Sequence, residues 1–105
     1  MKLFTFYCRD GENGTVFREH SQEALRNYFA EHGSEFVVAG PLVKGDQVVG
    51  SLLIVKAADE QEARSKLEAI PYFSVGVWQS IRGDEYHPLF GDWAADLQAL
   101  QRSDA

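Results

Sequence analysis

Residues 36–56 read FVVAGPLVKGDQVVGSLLIVK, and the interpretation of this stretch decides the fold. Two apolar runs, Phe36 to Val43 and Val48 to Val55, are joined by Lys44-Gly45-Asp46-Gln47. A short glycine-containing break between β-rich runs predicts a hairpin. Pro41 has no backbone N–H to give to a ladder, which places the first strand at a sheet edge and the second further in.

The segments on either side supply the partners. In KLFTFYC (2–8), Phe4, Phe6 and Cys8 point one way and Leu3, Thr5 and Tyr7 the other. Apolar groups on both sides predict a strand buried on both sides. After the polar loop Arg9 to Gly14, Phe17, Ala24, Leu25, Tyr28 and Phe29 recur at helical spacing, and Gly33 stands where a left-handed cap would stop the helix. His20 follows Phe17 by three residues and precedes Ala24 by four, which puts it on or beside the inward stripe. Beyond the hairpin, Asp59 with Glu62 forms a capping box, and Ala63, Leu67 and Ile70 make an apolar stripe that Pro71 ends. Pro71 to Ser74 reads as a turn or short helix. Val75 to Ile81 reads as a strand with Val75, Val77 and Ile81 on one face and Trp78 on the other, broken by Gly83-Asp84-Glu85. Trp93, Leu97 and Leu100 predict a C-terminal helix within 92–102.

The order strand, helix, hairpin, helix, strand is the βαββαβ plan of a ferredoxin-like α+β domain: a four-stranded antiparallel sheet with two helices on one face, plus the C-terminal helix. One domain over residues 1–90 and a helical tail over 91–105 are expected. The two helices cover one face, yet the strands carry apolar groups on both. A bare face of that kind predicts a homodimer formed sheet to sheet.

Charge narrows the partners. Sixteen acidic residues against ten Lys and Arg give a net charge of −6, with no basic stripe to follow a phosphate backbone or to meet an anionic membrane. The opening MKLFTFYCRD is too short in apolar residues for a signal-peptide core, and no run reaches transmembrane length. Cys8 is the single cysteine and has no internal disulfide partner, so a cytosolic location is expected.

Few residues announce chemistry. Cys8 would need a neighbouring base or cation to act as a nucleophile, and only Arg9 is near in sequence; a buried thiol is the better reading. His20 is either a boundary histidine satisfied by backbone or water, or a general acid or base aimed into a cleft between helix and sheet. His32, in the last helical turn, suits the helix dipole. Asp84, Glu85 and His87 cluster in sequence, but an exposed polar turn explains them better than a metal. No CxxC, HxxxH, Walker or GxGxxG pattern occurs, and the sequence calls for no cofactor.

The plan, taken with KLFTFYCRDG at 2–11, Arg18 and His20 in the helix segment, VAGPL at 38–42, GSLLIV at 50–55 and PYFSVGVW at 71–78, resembles the YciI-like (YCII-related) family over residues 1–90. The resemblance implies a dimeric α/β barrel and a cleft holding a histidine from the first helix, matching His20, with an aspartate. The family pattern places that aspartate just before the Pro-Tyr of the last connection, where this chain has Ile70. Asp10, at the end of the first strand, is then the candidate acid, and it can equally be an Asx-turn residue beside Gly11. Arg9, Arg18, Pro41, Ser51 and Tyr72 are candidate substrate contacts. Two functions follow from the resemblance. One is a cofactor-free lyase or isomerase, dehydrochlorinase-like, moving a proton on a small organic substrate. The other is a non-catalytic dimeric domain that binds a small ligand.

Overall fold

The computed structural model describes residues 1–102. The hairpin forms as the sequence predicts. Strands β2 (Phe36–Lys44) and β3 (Gln47–Ala57) pair antiparallel around Gly45-Asp46, with Gly45 at φ +62°, a conformation that favours glycine. Strand β1 (Lys2–Asp10) pairs with β3 on one side and with β4 (Trp78–Glu85) on the other, giving the antiparallel order β2-β3-β1-β4. Pro41 therefore lies in an edge strand, where its missing N–H costs little.

Helices α1 (Gly14–His32) and α2 (Glu60–Glu68), with the single turn α3 (Pro71–Ser74), cover one sheet face. Phe4, Phe6, Cys8, Leu53 and Val55 from the strands meet Ala63, Leu67, Ile70 and Tyr72, and Leu25, Tyr28 and Phe29 of α1 close the cluster. Burying such side chains contributes roughly 1.5–3 kcal/mol each. Asp59 caps α2 by accepting from the Glu62 N–H at 2.8 Å, and Glu62 reaches back to the Ala58 N–H at 3.2 Å. This is the capping-box arrangement with the returning bond moved one residue outward, to the N–H before the cap.

The last helix, α4 (Ala94–Arg102), contacts β1. Leu3, Ala94 and Leu97 are buried apart from the main core, and Gln98 and Gln101 bond the carbonyls of Pro88 and Tyr86. Leu3 lies on the face opposite Phe4, so the tail shields one end of the second sheet face. The rest of that face stays open, with Val38 and Tyr7 about two-fifths exposed beside half-buried Leu52 and Ile54. No described helix is long and apolar enough to cross a membrane.

Four expectations need correction. Gly33 has φ −57°, and the chain runs on into a 3₁₀ turn over Gly33–Glu35 rather than stopping in a left-handed cap. The last strand begins at Trp78, because Gly76 at φ +84° follows the α3 turn and leaves Val75 exposed and Val77 buried outside the ladder. Gly83-Asp84-Glu85 continues β4 instead of breaking it. Gly83 faces Phe6, and a Cβ there would stand 2.5 Å from the Phe6 ring, so the glycine makes room for the aromatic. The fourth correction concerns α1. Phe17, His20 and Ala24 are exposed, while Gly14, Arg18, Ser21 and Leu25 turn inward.

Candidate functional site

The rotation of α1 has a local cause. The Asp10 carboxylate binds the Arg18 guanidinium through two bonds, Nε to Oδ2 at 2.7 Å and Nη2 to Oδ1 at 2.8 Å. The first helical residue sits directly against Asp10: a Cβ at Gly14 would lie 2.8 Å from both the Asp10 Cβ and Oδ2. Glycine there lets the helix start close to the strand end, and the ion pair one turn later sets which face looks in. The pair is nearly shut off from water, with 13% of the Arg18 side chain and 8% of the Asp10 side chain exposed. Burial alone would lower the pKa of the guanidinium. The hydrogen bonds and charge of Asp10 outweigh that and hold it above its ordinary value.

Arg18 is held by more than Asp10. Its Nη2 also lies 3.0 Å from the Gly50 carbonyl and 2.9 Å from Ser51 Oγ, so its two N–H groups are shared among three acceptors with Asp10 Oδ1, and its guanidinium carbon lies 4.9 Å from the Tyr72 ring centre. The Trp78 indole N–H donates to the same Ser51 oxygen at 3.2 Å, and the Trp78 and Tyr72 rings meet edge to face with centres 6.1 Å apart. The hydrogen bonds to Asp10, Gly50 and Ser51 all run through Nε and Nη2, and Tyr72 adds hydrogen-bonding and charge support of its own, so the guanidinium is held in one orientation at the cleft edge.

That cation borders an apolar cleft of about 420 Å³ between α1 and the edge strand. Leu25 and Phe29 form the helix wall, Phe36 to Pro41 the strand wall, and Ser51, Leu53, Ile70, Tyr72 and Trp78 the floor and end. The size suits a small organic molecule and lies near the lower end of typical ligand cavities.

Of the residues the sequence singled out, Arg18, Pro41, Ser51 and Tyr72 converge on this cleft, with Asp10 behind Arg18. Two do not. Arg9 is exposed and bonds the Tyr7 hydroxyl at 3.0 Å, facing a separate polar depression. His20 is exposed and outside the cleft, on the opposite side of α1 from Arg18. Ile70, only 1% exposed, lines the cleft where the family resemblance expected a carboxylate. Asp10 is no Asx-turn residue alone, because both its oxygens are engaged by Arg18. Cys8 is buried, and its thiol is pushed up to about 12, chiefly by that burial, so it stays protonated and unreactive. His87 bonds Glu85 at 2.6 Å, which holds the Glu85 carboxyl below its usual range, and among the described residues no group of three or more His, Cys, Asp or Glu is placed to hold a metal.

Trp78 is the site residue that sequence reasoning put on the wrong face. Arg9 pairs with Ser80 but Asp10 pairs with Trp78, so Gln79 is an extra residue in β4. Such a bulge inverts the alternation, and Trp78 turns to the helix-covered face with Ile81. A strand read by strict period two cannot show it.

Residues 2–82 match the family described as the YCII-related domain. Among solved structures, 5-chloro-2-hydroxyhydroquinone dehydrochlorinase (TftG) from Burkholderia phenoliruptrix, in complex with 2,5-dihydroxybenzoquinone, superposes with a TM-score of 0.71 at 22% identity, covering 80% of this chain and 92% of that one. At that identity the likeness shows a shared fold. An Arabidopsis thaliana protein gives a TM-score of 0.48 at 10% identity over 88% of this chain and 99% of its own. No curated protein matches the sequence.

Proposed function

The chain belongs to the YCII-related domain family, and from that premise we propose that its cleft takes a small, planar organic acid, an enol or phenol. The ligand is held as the oxyanion against Arg18 and turned over by lyase- or isomerase-type chemistry. The observation that carries this reading is the guanidinium itself: a part-buried cation, fixed by Asp10, Gly50, Ser51 and Tyr72, lining the edge of an apolar cavity. In water a guanidinium attracts an anion weakly. In a water-poor cleft the same charge, already oriented, lowers the pKa of a bound hydroxyl and stabilises negative charge as it develops. A ring hydroxyl of this kind brings its own acidic proton, which leaves to solvent, so the cleft requires no strong base. The dehydrochlorinase that shares the fold is complexed with a hydroxyquinone, a molecule of this chemical type.

We also propose that the chain pairs with a second copy through the open sheet face. Val38, Tyr7, Leu52 and Ile54 form a continuous apolar surface there, and stacking two such faces removes it from water. Sedimentation should give about twice the mass of one chain; a monomer at micromolar concentration would reject the pairing.

One observation favours a second reading, in which the domain binds such a molecule without converting it. Among the described residues lining the cleft there is no histidine, no cysteine and no unpaired carboxylate. Titration of the protein with 2,5-dihydroxybenzoquinone, followed by tryptophan fluorescence, tests the ligand class shared by both readings. Halide release from chlorinated hydroxyhydroquinones then separates them: release above the uncatalysed rate supports turnover, and saturable binding without release supports the binding domain. No binding of either compound would reject the proposed class.

A further inference from the structure

The hydrogen-bond inventory around Ser51 constrains more than its position. Its Oγ meets two nitrogens, Arg18 Nη2 at 2.9 Å and Trp78 Nε1 at 3.2 Å. Arginine and tryptophan side chains carry donors and no acceptor. The serine oxygen is therefore the acceptor towards both, taking a share of the two Nη2 N–H groups that also serve Asp10 and Gly50, and its own proton points at neither nitrogen. A free serine hydroxyl rotates to suit its surroundings; this one cannot, because its proton is confined to the remaining direction. Among the described residues no protein acceptor takes that proton, although the side chain is only 6% exposed and lines the cleft. An oxygen that accepts two N–H bonds, one from a cation, is also polarised towards donating more strongly.

We infer that Ser51 is a fixed hydrogen-bond donor to the ligand, oriented by Trp78, so that the cleft selects molecules presenting an acceptor oxygen beside Arg18. This rests on the ligand class proposed above and sharpens it. Arg18 attracts the charge, while Ser51 discriminates polarity: an oxyanion or carbonyl oxygen is accepted there and a group that can only donate is refused. Trp78 is a positioning residue, since the structure gives its polar atom a bond to Ser51 and its effect passes through that hydroxyl. The bulge at Gln79 is what brings the indole to this face.

The test combines Ser51→Ala, Trp78→Phe and the double variant, with 2,5-dihydroxybenzoquinone as the probe. Loss of a bond to a charged group predicts that Ser51→Ala weakens binding roughly 10-fold or more, with the fold intact by circular dichroism. Trp78→Phe weakens it less in the wild-type background and has no further effect beside Ser51→Ala, the non-additivity expected of two groups acting as one. Equal affinity of Ser51→Ala and wild type would overturn the inference, as would strictly additive losses. A ligand-free readout keeps it separate from the functional reading. The Trp78 indole N–H resonance, assigned through Trp78→Phe, should move upfield in Ser51→Ala. If it does not move, the acceptor arrangement is wrong whatever the protein binds; if it moves and wild type ignores the probe, the proposed ligand class fails and the donor geometry stands.

Discussion

Replacing Arg18 by methionine removes the cation and leaves the Asp10 carboxylate, 8% exposed, with neither of its two side-chain bonds. Breaking a buried ion pair from one side costs about 3–5 kcal/mol, most of it the penalty of an uncompensated buried charge. Asp10 stands at a strand end and Arg18 keeps 13% exposure, so water reaches the vacated space and the lower figure, about 3 kcal/mol, applies. With a urea slope of about 1.5 kcal/mol/M, the unfolding midpoint should fall by roughly 2 M. Asp10→Asn alone should cost less, because a neutral amide beside Arg18 still offers an oxygen. The double variant Asp10→Asn, Arg18→Met should be more stable than Arg18→Met alone, since no buried charge remains. Urea unfolding of all four proteins yields the coupling energy directly. A loss below about 1 kcal/mol for Arg18→Met, or a double variant no better than the sum of the singles, would show that the pair is not what seats α1.

Three further outcomes follow from the geometry. The Cys8 thiol, raised from 9.0 to about 12 by burial, stays protonated in the folded protein while the unfolded chain ionises near 9. Stability should therefore be fully present below pH 9 and fall between pH 9 and 12, a component that Cys8→Ala lacks, and the native thiol should resist Ellman's reagent at pH 8 until urea is added. Gly83→Val places a side chain against the Phe6 ring and should cost about 1–3 kcal/mol by overpacking, read as a lower urea midpoint; an unchanged midpoint would mean the ring moves freely. His20→Ala, at an exposed position outside the cleft, should leave probe affinity unchanged and stability within about 0.5 kcal/mol.

The parts of this molecule governed by local rules were legible in the sequence. Pro41 marks the edge strand because a missing N–H is a local fact, and Asp59 with Glu62 marks the start of α2 because capping chemistry spans four residues. The sheet order follows from those elements and from the two-sided apolar strands. The site was less legible where position depends on distant partners. The inward face of α1 is chosen by Asp10 reaching Arg18 and by the closeness of Gly14 to Asp10, contacts between different elements that helical periodicity does not contain. Phe17 and Ala24 suggested a stripe that included His20; the ion pair turns the helix away from it. Trp78 and the start of β4 were misplaced for a related reason, since a single extra residue inverts strand parity without changing composition. Gly83 reads as a breaker until the Phe6 ring opposite it is known.

The central claim is that Arg18, anchored by Asp10, receives a ligand oxyanion in the α1/β2 cleft. A crystal structure of the protein soaked with 2,5-dihydroxybenzoquinone measures this most directly. A ring oxygen within hydrogen-bond distance of the Arg18 guanidinium, with the ring between Phe29 and the Pro41 strand, is the predicted result. A ligand seated elsewhere, or in the cleft with its oxygens turned away from Arg18, would contradict the account.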